Sequence, residues 1–202
     1  MGKSTVLDDI NLTFSSGKIY GLRGKNGCGK TMLLRAICGL IIPTRGEIRI
    51  NKKILHKDME IPESIGALIE NPSFLEEYTG MQNLRLLSRL AGNDNEAEIM
   101  YAIERVGLME DCNKKYGKYS LGMKQKLGIA NAIMHEPEII ILDEPINALD
   151  EDSVINIRDS LFALRDQGKL IVVACHDREE LDFLSDEVYL MSHGKIIGKE
   201  NA

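Results

Sequence analysis

The chain has 202 residues, 44% of them hydrophobic and 28% charged, with a formal net charge of −6. That length suits one large α/β domain carrying an inserted lobe and is too short for two, while the acidic balance without a dense Lys/Arg block argues against nucleic acid as partner. No apolar run approaches the roughly 18 residues of a membrane span, no signal-peptide layout opens the chain, and Cys28, Cys38, Cys112 and Cys175 lack C-x-x-C spacing. A soluble intracellular chain with reduced thiols is expected.

Ile10, Leu12 and Phe14 alternate with Asn11, Thr13 and Ser15, the period-two pattern of a half-buried strand, and Ser16-Gly17 turns it toward a second apolar run, Ile19 to Leu22. The stretch from Gly24 to Thr31 (Gly-Lys-Asn-Gly-Cys-Gly-Lys-Thr) then matches the phosphate-loop pattern G-x-x-x-x-G-K-[ST], and Met32 to Ile37 follows as a helix. A triphosphate needs many backbone N–H donors aimed at one point with a helix N-terminus behind them. Gly24, Gly27 and Gly29 permit that path alongside Lys25, Asn26 and Cys28. Lys30 supplies a compact charge for the β- and γ-phosphates, and the Thr31 hydroxyl is placed to ligate a bridging Mg²⁺.

Gly46 to Ile50 predicts another strand of the same sheet, and Ser64 to Ile69 a short one that ends at Glu70-Asn71-Pro72. Between Glu76 and Ala132 the spacing turns helical, with Leu84, Leu87 and Leu90, then Ile99, Ile103 and Val106. We read residues 72–132 as a helical lobe inserted between core segments 1–71 and 133–202. Buried-strand chemistry returns in Ile139 to Leu142 and Leu170 to Ala174, joined by a helix over Ser153 to Gln167, which implies a parallel sheet. Val188 to Met191 and Lys195 to Ile197, linked by Ser192-His193-Gly194, predict a closing hairpin.

Asp143-Glu144 falls at the C-terminal end of a buried strand, where such sheets place ligands. Asp143 is expected to hold Mg²⁺ through its water shell and Glu144 to orient or deprotonate the attacking water. His176, at the end of the next strand, reaches the γ-phosphate region as a neutral hydrogen-bonding group, whereas His56, His135 and His193 are expected to be solvated loop residues.

In this order, these residues resemble the nucleotide-binding subunit of an ATP-binding cassette (ABC) transporter over nearly the whole chain. Tyr119-Ser120-Leu121-Gly122-Met123-Lys124-Gln125 occupies the place of the family signature, Asn147-Ala148-Leu149-Asp150 that of the loop crossing the dimer interface, and His176 that of the switch histidine. The resemblance implies a P-loop NTPase core with a parallel sheet, an N-terminal antiparallel β part and the helical lobe. It also implies ATP and Mg²⁺ as ligands, with Ser120 and Gly122 offered in trans to the γ-phosphate of a second subunit. Departures are Tyr119, Leu121 and Met123 within the signature, Met32 where a second hydroxyl usually touches the α-phosphate, and Arg23 where an aliphatic residue is common. The adenine-stacking aromatic would fall at about Met1. Glu70 stands where most members carry the glutamine linking the metal site to the membrane partner, and Glu70-Asn71-Pro72 with Ser120 to Gln125 resembles the subgroup exporting lantibiotics and bacitracin.

The expected protein is thus an ATPase that dimerises head to tail with itself or a homologous cassette and drives a separately encoded permease. It would lie on the inner face of the membrane, with residues 72–83 meeting that permease. The rival readings are an ATP-gated switch acting on ribosome or DNA, and an idle nucleotide-binding partner of another cassette.

Overall fold

The computed structural model describes residues 5–201. Its largest sheet is built from β1 (Lys18–Arg23), β4 (Ile65–Leu68), β5 (Ile139–Asp143), β6 (Leu170–Cys175), β7 (Glu187–Ser192) and β8 (Lys195–Asn201), in the order β4-β5-β6-β1-β7-β8. The first five of these strands in that order run parallel, and β8 returns antiparallel from β7 as the expected closing hairpin. Alternate residues feed two layers of core. Ile19, Ile140, Leu142, Ile171 and Val173 meet helices α3 (Glu96–Arg105), α4 (Leu121–Ile133), α5 (Glu151–Asp166) and α6 (Arg178–Leu184) on one face. Tyr20, Leu22, Ile141, Val172 and Ala174 meet α1 (Lys30–Ile37) on the other. Covering both faces is what allows β5 and β6 to be continuous aliphatic runs.

Two expected strands change. Residues 10–15 form no ladder; Ile10, Leu12 and Phe14 instead lay one face of an extended segment on the Tyr20 layer, with Phe14 4.7 Å from the Tyr20 ring and the Ser15 N–H donating to the Tyr20 hydroxyl. Their alternation records one-sided burial, which an extended segment shows with or without a paired neighbour. Gly46 to Ile50 yields only β2 (Arg49–Ile50), which pairs with β3 (Lys53–Ile54) in a separate two-stranded sheet. Asn51 and Lys52, at φ 50° and 71°, form the two-residue turn whose twist suits such a hairpin. This hairpin is the antiparallel part of the N-terminal half.

Between β4 and β5 come α2 (Gly80–Leu90), started by a reciprocal Thr79–Gln82 capping box, then α3, a 3₁₀ turn at Tyr116–Lys118, and α4. The last of these helices lies directly on β4: a Cβ at Gly66 would stand 1.7 Å from the Ala132 carbonyl oxygen, and one at Gly128 would stand 2.8 Å from Leu68. His135, just past α4, is half-buried, and its Nδ1 sits 2.9 Å from Glu98 and 3.0 Å from Asn93; His56 is also half-buried. Neither is the solvated loop residue expected. Among the described residues no helix is long and apolar enough to cross a membrane.

Candidate nucleotide site

The loop from Gly24 to Gly29 leaves the end of β1, the strand between β6 and β7, and enters α1. Close approach explains its first glycine, since a Cβ at Gly24 would meet the Met191 carbonyl oxygen at 2.4 Å and Cys28 Sγ at 2.5 Å. Gly27 and Gly29 take φ of 79° and 111°, which side-chain-bearing residues rarely adopt. The turn between β7 and β8 holds the loop from behind: the Gly194 N–H donates to the Cys28 carbonyl at 2.8 Å, and the Asp8 N–H to the Gly194 carbonyl at 2.8 Å. Buried Lys30 donates to the Gly24 carbonyl at 2.8 Å and stands 4.0 Å from Glu144 Oε1, so its charge faces the loop's interior.

Two strands deliver the carboxylates. Asp143, the last residue of β5, accepts a hydrogen bond from the Thr31 hydroxyl at 2.6 Å. Burial pushes its carboxyl above the ordinary range, the Thr31 hydrogen bond opposes that, and the nearby Glu144 charge adds to it. Glu144 adopts φ 49° while its N–H donates to the Ala174 carbonyl at 2.8 Å, which directs its side chain toward His176, with Nδ1 2.9 Å from Oε2. Behind it, buried Gln125 donates through Nε2 to the Glu144 carbonyl at 2.9 Å and to the Pro145 carbonyl at 3.2 Å. A side chain from the second turn of α4 thereby fixes the backbone that carries Glu144.

These groups line an open cleft of about 450 Å³. Of the expected residues it contains Asn26, Gly27, Gly29, Lys30, Thr31, Met32, Glu70, Asp143 and Glu144. Gly24 and Cys28 shape the loop from behind, Lys25 is exposed, and His176 joins through Glu144. Glu70, at φ 61°, is ion-paired with Arg35 of α1 at 2.8 Å. The unexpected Arg23 is matched by Asp182 at 3.1 Å and Glu200 at 2.5 Å, so its charge is answered within the fold.

Ser120, Gly122 and Asp150 do not line this cleft. Ser120 caps α4, its Oγ accepting from the Met123 N–H at 3.2 Å, and Gly122 lies against the Ala148 carbonyl. Asp150 caps α5 by accepting from the Ser153 N–H at 2.8 Å, and its carboxyl pKa is lowered by the Ser153 side chain and then by this backbone bond. The position expected for an adenine-stacking aromatic, about Met1, lies outside the described residues. Val6, Asn71, Gln125 and Asn147 also line the cleft. The last three fall within noted motifs, but spacing gives no sign that their side chains turn inward.

The ABC transporter family profile matches residues 7–147. The chain is 46% identical over 194 residues to the uncharacterized ABC transporter ATP-binding protein YybJ of Bacillus subtilis (strain 168), covering 96% of this chain and 89% of that one. It is 40% identical over 205 residues to the bacitracin transport ATP-binding protein BcrA of Enterococcus faecalis, covering 99% of this chain but 66% of that longer one, just under two thirds. Its fold superposes at a TM-score of 0.89 on the ATP-binding cassette MJ0796, solved as a post-hydrolysis dimer with ADP and phosphate, at 24% identity, covering all of this chain and 93% of that one. The chain belongs to the ABC transporter family, as one of its ATP-binding ATPases.

Proposed function

We propose that this chain is the energy-supplying subunit of a transporter whose permease is a separate polypeptide, and that it closes head to tail with a second copy or a homologous cassette over two ATP molecules. The observation that carries this reading is the 2.6 Å Thr31–Asp143 hydrogen bond beside buried Lys30. It gathers a hydroxyl, a carboxylate and a cation in one cleft. Two oxygens at that separation, one on a carboxylate whose pKa burial has raised, suit a small hard cation that would supply the missing countercharge. Thr31 and Asp143, with Glu70 at the rim, would hold Mg²⁺, and its charge would offset the negative charge developing in phosphoryl transfer.

The chain's own groups supply the remaining chemistry. Loop N–H groups and Lys30 orient the triphosphate. Glu144 aligns the attacking water and accepts its proton, while His176 restrains the carboxylate at 2.9 Å. Ser120 and Gly122, outside their own cleft, would serve the γ-phosphate of the opposite chain; Ser120 Oγ accepts in its cap and so retains its hydroxyl proton for donation. Asp150 belongs to the loop that would cross between chains. Residues 72–132 form the lobe, and its 72–83 segment would meet the permease and hold the chain peripherally on the inner membrane face. Likeness to a bacitracin transport protein supports a peptide antibiotic, or a related compound, as exported cargo.

The test is Glu144→Gln, which keeps the side chain's shape while removing its basicity. Hydrolysis should fall by roughly 10²-fold or more, ATP binding should persist, and the variant should elute as a dimer with Mg²⁺-ATP. Undiminished hydrolysis from a chain that stays monomeric would overturn the reading. Loss of the chain in its host should also raise sensitivity to bacitracin if the cargo assignment holds.

A further inference from the structure

We propose that Glu144, Cys175 and His176 form a capture site for a borderline-soft divalent cation, Zn²⁺ by preference, separate from the oxygen site of Thr31 and Asp143. The three side chains each turn a ligand atom into one space, all within 4.8 Å of one another. They come from adjacent strands, Glu144 following β5, Cys175 ending β6 and His176 following it, so the sheet's register sets their spacing. A tetrahedral zinc with bonds of about 2.0–2.3 Å needs neighbouring ligand atoms roughly 3.3–3.6 Å apart. Glu144 and His176 must therefore draw toward the thiol by up to about 1.5 Å while their own 2.9 Å contact opens slightly. Small side-chain rotations supply both, because His176 is 57% and Glu144 22% exposed while Cys175 is fixed in the core. The exposed imidazole also marks the entry path, and water completes the fourth position.

Ligand chemistry separates the two cations. Sulfur and imidazole nitrogen select zinc strongly over magnesium, while the paired oxygens of Thr31 and Asp143 suit magnesium. Burial pushes the Cys175 thiol up to about 12, so the metal-free protein keeps it protonated. It accepts a long hydrogen bond, 3.4 Å, from the Asp177 N–H, and the Glu144 side chain beside it also favours the protonated thiol. On capture the S–H bond breaks, a Zn–S bond forms and the proton passes to solvent, with no change in oxidation state. A captured ion also occupies the Glu144 carboxylate, so zinc should inhibit hydrolysis. That inhibition rests on the role proposed for Glu144; the capture itself does not.

The experiment uses the full chain in millimolar Mg²⁺, titrated with Zn²⁺ by calorimetry and separately with Co²⁺ by absorption. The wild type should bind a single zinc equivalent and show a thiolate-to-cobalt charge-transfer band in the near ultraviolet. Cys175→Ser and Cys175→Ala should bind zinc roughly tenfold or more weakly and lack the band, with Mg²⁺-ATPase activity retained but no longer zinc-sensitive. A wild type without the cobalt band, or either variant binding zinc as tightly as wild type, overturns the proposal. If the band appears yet zinc leaves hydrolysis untouched, capture stands and the role of Glu144 falls.

Discussion

Asp143 is buried and its carboxyl is shifted above the usual carboxylate range, which makes its charge a burden on the nucleotide-free fold at neutral pH. A pKa raised on folding means that its stabilising effect is complete below the unfolded value, about 4, and is lost as pH climbs through the folded one. Asp143→Asn should therefore raise the melting temperature of the nucleotide-free chain at pH 7, on the order of a few degrees, with the gain vanishing near pH 3. The same variant should lose the extra stabilisation that Mg²⁺ adds to ATP. Thermal melts at both pH values, with and without Mg²⁺-ATP, check both halves. Glu70 behaves differently because its carboxylate is 59% exposed and ion-paired with Arg35, a surface contact worth little by itself. Glu70→Gln should hold ATP affinity within about twofold. It should weaken the Mg²⁺ dependence of hydrolysis by roughly fivefold, equivalent to about 1 kcal/mol of coupling, and Mg²⁺ titration of ATPase activity reads it.

At the scale of elements, the close seat of α4 on β4 is the contact with least slack. Gly66→Val would drive a branched side chain into the Ala132 carbonyl, already 1.7 Å from the position of a Cβ. Destabilisation by about 1–3 kcal/mol is expected in denaturant titration, and because α4 also carries Gln125, ATPase activity should fall in the surviving folded fraction. The elements readable from residue order were those whose pattern has one physical cause: β5 and β6 as doubly covered runs, the phosphate loop from its glycines, the β7–β8 hairpin from Ser192-His193-Gly194. Residues 10–15 misled because alternation reports which side is buried and says nothing of a partner strand. The contacts of Gln125 and Arg35 escaped notice for a different reason. Each residue acts through a contact distant in sequence, Gln125 with the Glu144 carbonyl and Arg35 with Glu70, and such pairings depend on how helices settle on the sheet. The Asp143–Thr31 pairing was legible because strand end and loop end converge in any sheet of this connectivity.

At the scale of the whole molecule, the cleft contains its own loop residues and carboxylates but lacks Ser120 and Gly122, so a complete site needs two chains under the proposed arrangement. Mixing supplies the check. Lys30→Ala should disable a chain's own cleft, and Gly122→Asp should disable what it lends to its partner. Each variant alone should be inactive. An equimolar mixture should recover up to about a quarter of wild-type ATPase, since half the dimers are mixed and each of those keeps one intact site. A mixture that stays as inactive as its components would rule out sharing across chains.

The hydrogen bond from Gly194 to the Cys28 carbonyl has a meaning in time as well as in space. The loop that embraces phosphate is encoded in the first thirty-odd residues, yet the strands on either side of β1 and the turn that holds the loop are encoded after residue 169. A polypeptide emerging from the ribosome thus carries the nucleotide motif long before the neighbours that shape it have been made. Pairings of such long sequence separation form late and slowly. Competence to bind ATP should consequently wait until the β7–β8 hairpin has emerged and the sheet has closed, so that a product truncated before that hairpin should bind nucleotide weakly.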